Sequence, residues 1–349
     1  MITIDGSLYS GSGSIVRQAV AFSALTGQPV HLVNARVKRE KPGLRRQHVR
    51  VVEAMCELVN GKARGVFEGS QEIDFYPGLP GLNEAKHQYC WDIESAGSTT
   101  MLALAVLPVL AFRGIPTIVE IRGGLFQDFA PSVFHLQHVV LPLLHNMGLE
   151  VTLHMNRPGY VPSGKGSLSL KVNPLKHGLQ RIILEEPGPV EKIWGIALAS
   201  HLAERQVSQR MAEAATKQLT RAGYEADITI MEDTSAEQPG AALALFADGE
   251  AGVRLGADRA GALGRRSEDI GRYVARQLLD DCQTGATLDR FTADQIIPFA
   301  ALAKGMSRFL IPQMTDHVQT SAWLVHVFFG AETKMDDHHL GISGIGWPN

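Results

Sequence analysis

"ITIDGSLYSGSGSIVRQAVAFSALTGQPVHLV", residues 2–33, carries the local signals of four successive elements. The β-branched "ITID" reads as a short strand, and "GSLYSGSGS" as a glycine turn. "IVRQAVAFSALTG" then repeats apolar residues at helical spacing and stops on glycine, and "PVHLVNARV" returns to strand composition. Strand, turn, helix and strand in this order form the unit of a helix laid on a sheet. A second helix follows in "GLRRQHVRVVEAMCELVNG" (43–61).

The same order recurs twice. "HQYCWDIE" (87–94), "SAGSTTMLALAVLPVLAFRG" (95–114), "TIVEIRGG" (117–124), "PSVFHLQHVVLPLLHNMG" (131–148) and "EVTLHMNRPG" (150–159) make a second version. "DRFTADQIIPFAALAKG" (289–305), "RFLIPQM" (308–314) and "TSAWLVHVFFG" (320–330) close the chain as a third. The expected class is therefore α+β, with about three repeated units of helices on β segments. Residues 183–272 differ and read as an insert domain, flanked by "LEEPGPVEK" and the glycine-rich "GADRAGALGRRSED". Within it, "IWGIALASHLAERQVSQRMAEAATKQLTRAG" reads as a long alanine-rich helix, with strands in "EADITIMED" and "AALALFADG". Residues 1–182 and 273–349 are the expected main domain.

The 349 residues are 45% hydrophobic and 20% charged, with 35 glycines, which suits a loop-rich α/β or α+β enzyme. With a net charge of −3, a polyanionic partner must be held by a local basic patch. Cys56, Cys90 and Cys282 are too widely spaced for a zinc ribbon, and read as reduced thiols of a cytoplasmic protein. The N-terminus lacks a basic region followed by an apolar core. No run reaches the roughly 18 apolar residues of a membrane span, so neither secretion nor membrane insertion is expected.

Several stretches are candidate sites. The turn with Gly6, Gly11 and Gly13 either presents backbone N–H groups to an anion at a helix start or simply eases a tight turn. Arg36, Lys38, Arg39, Lys41, Arg45, Arg46 and His48 form a cluster broken by Pro42 and Gly43, either a phosphate-contacting surface or a solvated helix start. "GGLFQDFAPS" (123–132) and "GYVPSGKGS" (159–167) are glycine and proline loops of the kind that line sites. The tail "DDHHLG" (336–341) holds carboxylates and imidazoles, yet reads as a solvated terminus, because adjacent ligands rarely converge. His317 is expected to be exposed at a strand end, before a helix capped by Thr320 or Ser321. The helix terminus favours its neutral imidazole, the form that attacks phosphorus.

In order across nearly the whole chain, "IDG…GSGSIVRQAVAFSALTGQPV", "KPGLRRQHVRVVEA", "GSQEIDFYPG", "SAGSTTMLALAVLPVL", "GYVPSGKG", "FTADQIIPFAALA" and "H…TSAWLVHVF" resemble the RNA 3′-terminal phosphate cyclase family. The resemblance implies three repeats of two helices on a four-stranded sheet, with a smaller α/β insert before the third. It implies an ATP-dependent ligase-like enzyme that joins AMP to His317, passes it to an RNA 3′-phosphate and closes a 2′,3′-cyclic phosphate. By matching position, Phe291, Asp294, Gln295, Pro131 and Asp128 fall in the ATP site. Arg17, Arg39, Arg45, Gln47 and His48 fall near the phosphates or the RNA end. A divalent metal, Mg or Mn, is implied as well.

The chain departs from the family at several of these places. Ser10 stands where a glutamate, a metal and catalytic residue, is usual, and Ser14 where a glutamine is. Leu104 replaces a glutamine, Leu125 a threonine and Ser321 an asparagine. Two other readings follow from these losses: a catalytically silent RNA-binding relative, or an adenylyltransferase acting on a different acceptor.

Overall fold

The computed structural model describes residues 1–78 and 86–348. Its first sheet holds β1 (Ile2–Asp5), β2 (Val30–Val33), β3 (Lys62–Arg64) and β4 (Ile73–Tyr76), covered by α1 (Gly13–Thr26) and α2 (Arg46–Val59). The strand order is β1-β2-β4-β3; β1 and β2 are parallel and the other neighbours antiparallel. The second sheet holds β5 (Gln88–Asp92), β6 (Thr117–Gly123), β7 (Val151–Arg157) and β8 (Gly166–Val172). Between its strands run α3 (Thr99–Ala111) and a helical segment of α4 (Val133–His135), a π turn (Leu136–Val140) and α5 (Leu141–Asn146). Its order, β5-β6-β8-β7, has the same pairing directions.

After β9 (Ile183–Leu184) the chain builds a separate sheet from β10 (Val190–Ser200), β11 (Ala226–Asp233), β12 (Gly240–Gly249) and β13 (Arg254–Ala260). Its order is β11-β10-β12-β13, with α6 (Val207–Arg221) and α7 (Ser267–Gln283) packed on it. The last sheet, β15-β16-β14-β9, is completed by β14 (Lys304–Leu310), β15 (Glu332–Met335) and β16 (His339–Ile345). Its helices are α8 (Thr292–Gln295), α9 (Ile297–Leu302) and α10 (Asp316–Phe329). The class is α+β, with four-stranded mixed sheets. Among the described residues no helix is long and apolar enough to cross a membrane.

Two expectations are corrected. "IWGIALAS" is the inner strand β10, not helix: β11 and β12 both pair with it, and a full set of ladder hydrogen bonds outweighs the helical bias of its alanines and leucine. "DDHHLG" is exposed from Asp336 to His339, as expected of a solvated stretch, but it is an ordered turn and not a loose terminus. Asp336 Oδ1 accepts from the His338 and His339 N–H groups at 3.0 and 2.7 Å and turns the chain into β16, where Leu340 is buried.

Among the described residues the buried apolar side chains form two clusters. On β12, Ala241, Leu243, Leu245 and Ala247 face the smaller one with α6 and α7, while Ala242, Ala244 and Phe246 belong to the larger one. A strand buried on both faces reads as one continuous apolar run, which is what "AALALFA" is. Val274, Ala275, Leu278 and Leu279 of α7 also lie in the smaller cluster, so this helix runs as one piece through the expected boundary at residue 272.

In the larger cluster α1 packs against α2, α3 and α10. All 13 residues of α3 are buried, which accounts for its apolar composition on every side. Against α10, α1 runs parallel: Ser14 meets His317, Gln18 meets Ser321, and Phe22 meets Phe328 and Phe329, with ring centroids 5.7 and 4.8 Å away. The aromatic end locks the register that sets the polar end.

Phe22 is 1% exposed, so Phe22→Ala is expected to cost about 3–5 kcal/mol of unfolding free energy in urea. A loss below about 1 kcal/mol would mean that the aromatic end does not anchor the helix pair.

Candidate active site

The helix that carries His317 starts earlier than its sequence suggests. Thr315, not Thr320 or Ser321, is the N-cap: its hydroxyl accepts from the Val318 N–H at 3.2 Å, and Asp316 adds a carboxylate to the first turn. A capping hydroxyl followed by an acid satisfies an orphan donor and matches the helix dipole, so the helix begins before the histidine. Thr320 lies one turn on, with Oγ1 2.7 Å from the Asp316 carbonyl oxygen. His317 is therefore half-buried in the first helical turn, not exposed at a strand end.

The opening turn of the chain wraps this helix. Ser14 Oγ is 3.3 Å from His317 Nδ1 and 2.6 Å from Ser12 Oγ, which is 3.0 Å from Ser10 Oγ. Ser10 Oγ lies 2.8 Å from Thr320 Oγ1, and the Ser10 N–H donates to the same oxygen at 3.2 Å. Ser12 is also the N-cap of α1. The first helical residue has to be glycine, because a Cβ on Gly13 would sit 1.9 Å from His48 Nε2.

Helix starts gather here. Ser14 joins the start of α1 to that of α10, and Gly13 lies against His48 in the first turn of α2. Gln47 Oε1 accepts at 2.8 Å from the N–H of Ser98, the N-cap of α3. Each terminus contributes a positive dipole end and free N–H groups, the arrangement that receives phosphate. Arg17 is 9% exposed, and Arg39 Nη2 donates to the Ser10 carbonyl at 3.4 Å. Arg45 caps α2 and faces Glu68 at 3.9 Å on an exposed rim.

The cations and the burial set the protonation states. Burial, then the charges of Arg17 and Arg39, hold His317 below the ordinary imidazole range, which keeps it neutral and nucleophilic. His48 is pushed well below that range by burial and by Arg17, Arg36 and Arg45. Arg17 falls to about 10, chiefly by burial. Asp294 rises to about 7 by burial, against the opposing pull of Arg17.

The remaining expected residues lie in neighbouring places. Gln295 Nε2 donates to Asp294 Oδ2 at 2.6 Å. Phe291 is half-buried, edge-on to His135 with centroids 5.8 Å apart. Pro131 is buried, its carbonyl accepting from Thr100 Oγ1 at 2.7 Å. Asp128 is taken up in a bidentate pair with Arg265, at 2.9 and 2.7 Å, which ties its loop to the segment before α7.

Two features went unread in the sequence. The Ser-Gly-Ser-Gly-Ser alternation of residues 10–14 is the visible trace of the hydroxyl line. Asp289 has no local signal. It is fully buried, accepts from His135 Nε2 at 3.0 Å and from the Gly256, Phe291 and Thr292 N–H groups, and so fixes the approach to Phe291.

The family model described as RNA 3′-terminal phosphate cyclase matches residues 8–335. A protein named RNA 3′-terminal phosphate cyclase from Hyperthermus butylicus is 38% identical over 342 residues, 96% of this chain and 93% of its own. Proteins of the same name from Staphylothermus marinus and Pyrococcus furiosus are each 36% identical, over 94% and 95% of this chain and 92% and 94% of their own.

Asp294→Asn tests the electrostatics. A carboxyl raised from 3.8 to about 7 stabilises the folded protein fully below its unfolded value, and that contribution is lost as pH rises through the folded value. The variant's stability relative to the natural chain is therefore expected to climb by a few kcal/mol, as an order of magnitude, between about pH 4 and 7 and then level off. A difference flat with pH in urea titrations would show that Asp294 ionises normally.

Proposed function

The chain belongs to the RNA 3′-terminal phosphate cyclase family, and we propose that it converts an RNA 3′-terminal phosphate to a 2′,3′-cyclic phosphate with ATP, through a histidine–AMP intermediate. The observation that carries this reading is a neutral, half-buried His317 at a helix start, facing Arg17 and Arg39. In the first step the imidazole attacks the α-phosphorus of ATP; a P–N bond forms and the P–O bond to pyrophosphate breaks. The 3′-phosphate of the RNA then takes the adenylyl group from the histidine. The neighbouring 2′-hydroxyl attacks the activated phosphorus and AMP leaves, with the ring closure helped by the effective molarity of adjacent groups.

In this reading Arg17, Arg39 and the helix starts at His48 and Gln47 balance the phosphate charge, and Arg45 meets the RNA end at the rim. Phe291 stacks the adenine, with Asp294, Gln295, Pro131 and Asp128 around the nucleotide. The protonated form of Asp294, favoured below about pH 7, supplies an O–H donor there. The implied divalent metal does not fit the side chains present: the line at Ser10 is hydroxyl, and among the described residues no three His, Cys, Asp or Glu groups gather as ligands. No step is assigned to a protein-held metal.

We also read the three sheets with matching strand order as repeats of one unit. The expected insert from residue 183 is moved to begin after β9, which pairs with β14, and to end with α7 at Gln283; the shared apolar cluster supports the latter limit. Free Cys56, Cys90 and Cys282 support a reducing compartment, the cytoplasm. A second reading, transfer of AMP to a different acceptor, is favoured by Leu104 and Leu125, buried and apolar where the family carries polar groups.

The protein is to be incubated with ATP labelled at the α-phosphate. An acid-labile covalent AMP adduct, absent from His317→Ala, is expected, and RNA with a 3′-phosphate should discharge it and become cyclised. No adduct, or an adduct that survives His317→Ala, overturns the intermediate. An adduct that RNA does not discharge selects the different-acceptor reading.

A further inference from the structure

We propose that Tyr9 and Trp323 form a stacking step for one unpaired base of the RNA strand, close behind its 3′-phosphate, so that the protein takes single-stranded 3′ ends. That the strand is RNA rests on the function proposed above; the step itself rests on the side chains. Tyr9 stands in the opening turn, and its ring meets the Trp323 indole with centroids 5.5 Å apart and planes tilted by 42°. Tyr9 is 44% exposed and Trp323 is half-buried against the larger apolar cluster, so one ring is anchored and the other reaches solvent. Both line a groove of about 540 Å³ between α10 and β15, a volume in the range of small-molecule sites.

The backbone holds the Tyr9 ring in place against a local preference. Its φ is 44°, in the left-handed region that a bulky side chain rarely occupies. Contacts on either side pin the turn there: the Gly11 N–H donates to the Leu8 carbonyl at 2.8 Å, and the Ser10 N–H donates to Thr320 Oγ1 at 3.2 Å. Glycine adopts this φ without strain, so a tyrosine at the position points to a use for its ring.

The same turn connects the step to His317. From His317 to Trp323 the helix advances about 9 Å and passes well beyond one full turn, so the two side chains do not share a face. The opening turn spans the interval: Ser14 Oγ lies 3.3 Å from His317 Nδ1, and Tyr9 lies on Trp323. Two exposed cations follow it. Arg39 Nη2 donates to the Ser10 carbonyl at 3.4 Å, and the stem of Lys38 lies against Gly11. Cations that track a backbone, beside aromatic rings that take its bases, make a surface for single-stranded nucleic acid. The opposite wall of the groove carries Asp336 and Asp337, which repel phosphate. The sugar–phosphate strand is thereby kept on the side of Lys38 and Arg39. Only a neutral base enters the groove, where Gln319, His326 and Thr333 offer polar groups to its edge. A base-paired 3′ end gives up a base only at the cost of unpairing and unstacking it.

Binding of the full chain to RNA ending in a 3′-phosphate, measured without ATP, tests the step. Trp323, one of four tryptophans, lines the groove, so single-stranded RNA is expected to quench part of the fluorescence. Trp323→Phe keeps a ring and is expected to bind alike without that signal. Removing the bases near the 3′ end of the RNA one at a time should find one position whose loss weakens binding by about 5- to 150-fold. Tyr9→Gly fits the backbone and should keep the urea midpoint. It should lose affinity to the same order and lose little more when that base is removed, while Tyr9→Phe restores binding. A 3′ end closed in a blunt duplex should bind as weakly as the RNA lacking that base. Equal binding of every base-deleted RNA, unchanged affinity in Tyr9→Gly, losses that simply add, or tight binding of the blunt duplex overturns the step. An AMP adduct that RNA discharges, with no base coupled to Tyr9, overturns the step alone. A coupled base without any adduct upholds the step and overturns the histidine–AMP intermediate alone.

Discussion

The parallel packing of α1 on α10 is the constraint on which the site depends. At one end Phe22 fixes the register against Phe328 and Phe329. At the other, that register sets Ser14 opposite His317 and Gln18 opposite Ser321. Two parallel helices bring both N-termini to the same place, and α2 and α3 add theirs through His48 and Gln47. An antiparallel pair would have brought a negative end next to the histidine.

That concentration of positive ends has a cost, which burial and cations increase. Arg17 lies buried near Asp294, and each moves away from its ordinary titration range, burial being the first cause for both. The same environment keeps His317 and His48 neutral. Groups so displaced from their solution behaviour tend to gather at functional sites, and here they lie among cations and the positive ends of helices. Gly13 is the steric counterpart of this electrostatic arrangement, since only a missing Cβ leaves room for His48.

The sheet of β10 to β13 is held to the rest by both apolar and polar contacts. One face of β12 packs into the larger cluster, while buried polar contacts join the two parts at His135–Asp289–Gly256 and at Tyr160–Ser200–Asp233. The Asp128–Arg265 pair spans the same boundary. Asp289 connects this seam to Phe291, since one carboxylate accepts from the Gly256 N–H of β13 and from the Phe291 N–H.

Local signals decided much in the sequence. The helical spacing of α1, α2 and α10, the glycine stops and the β-branched runs of β1 and β6 follow from periodicity and turn chemistry, which neighbours along the chain settle among themselves. His317 and the basic residues around Arg39 were visible as candidates for the same reason. Tertiary structure decided what depends on partners distant in sequence. "IWGIALAS" became a strand because β11 and β12 flank it, and the polar tail was drawn into a sheet because β16 pairs with β14. Ser10 and Ser14 found His317 and Thr320 more than 300 residues away. A hydroxyl carries no sign in the sequence of whether it will donate or accept. That choice is made only by the partners that the folded chain sets beside it.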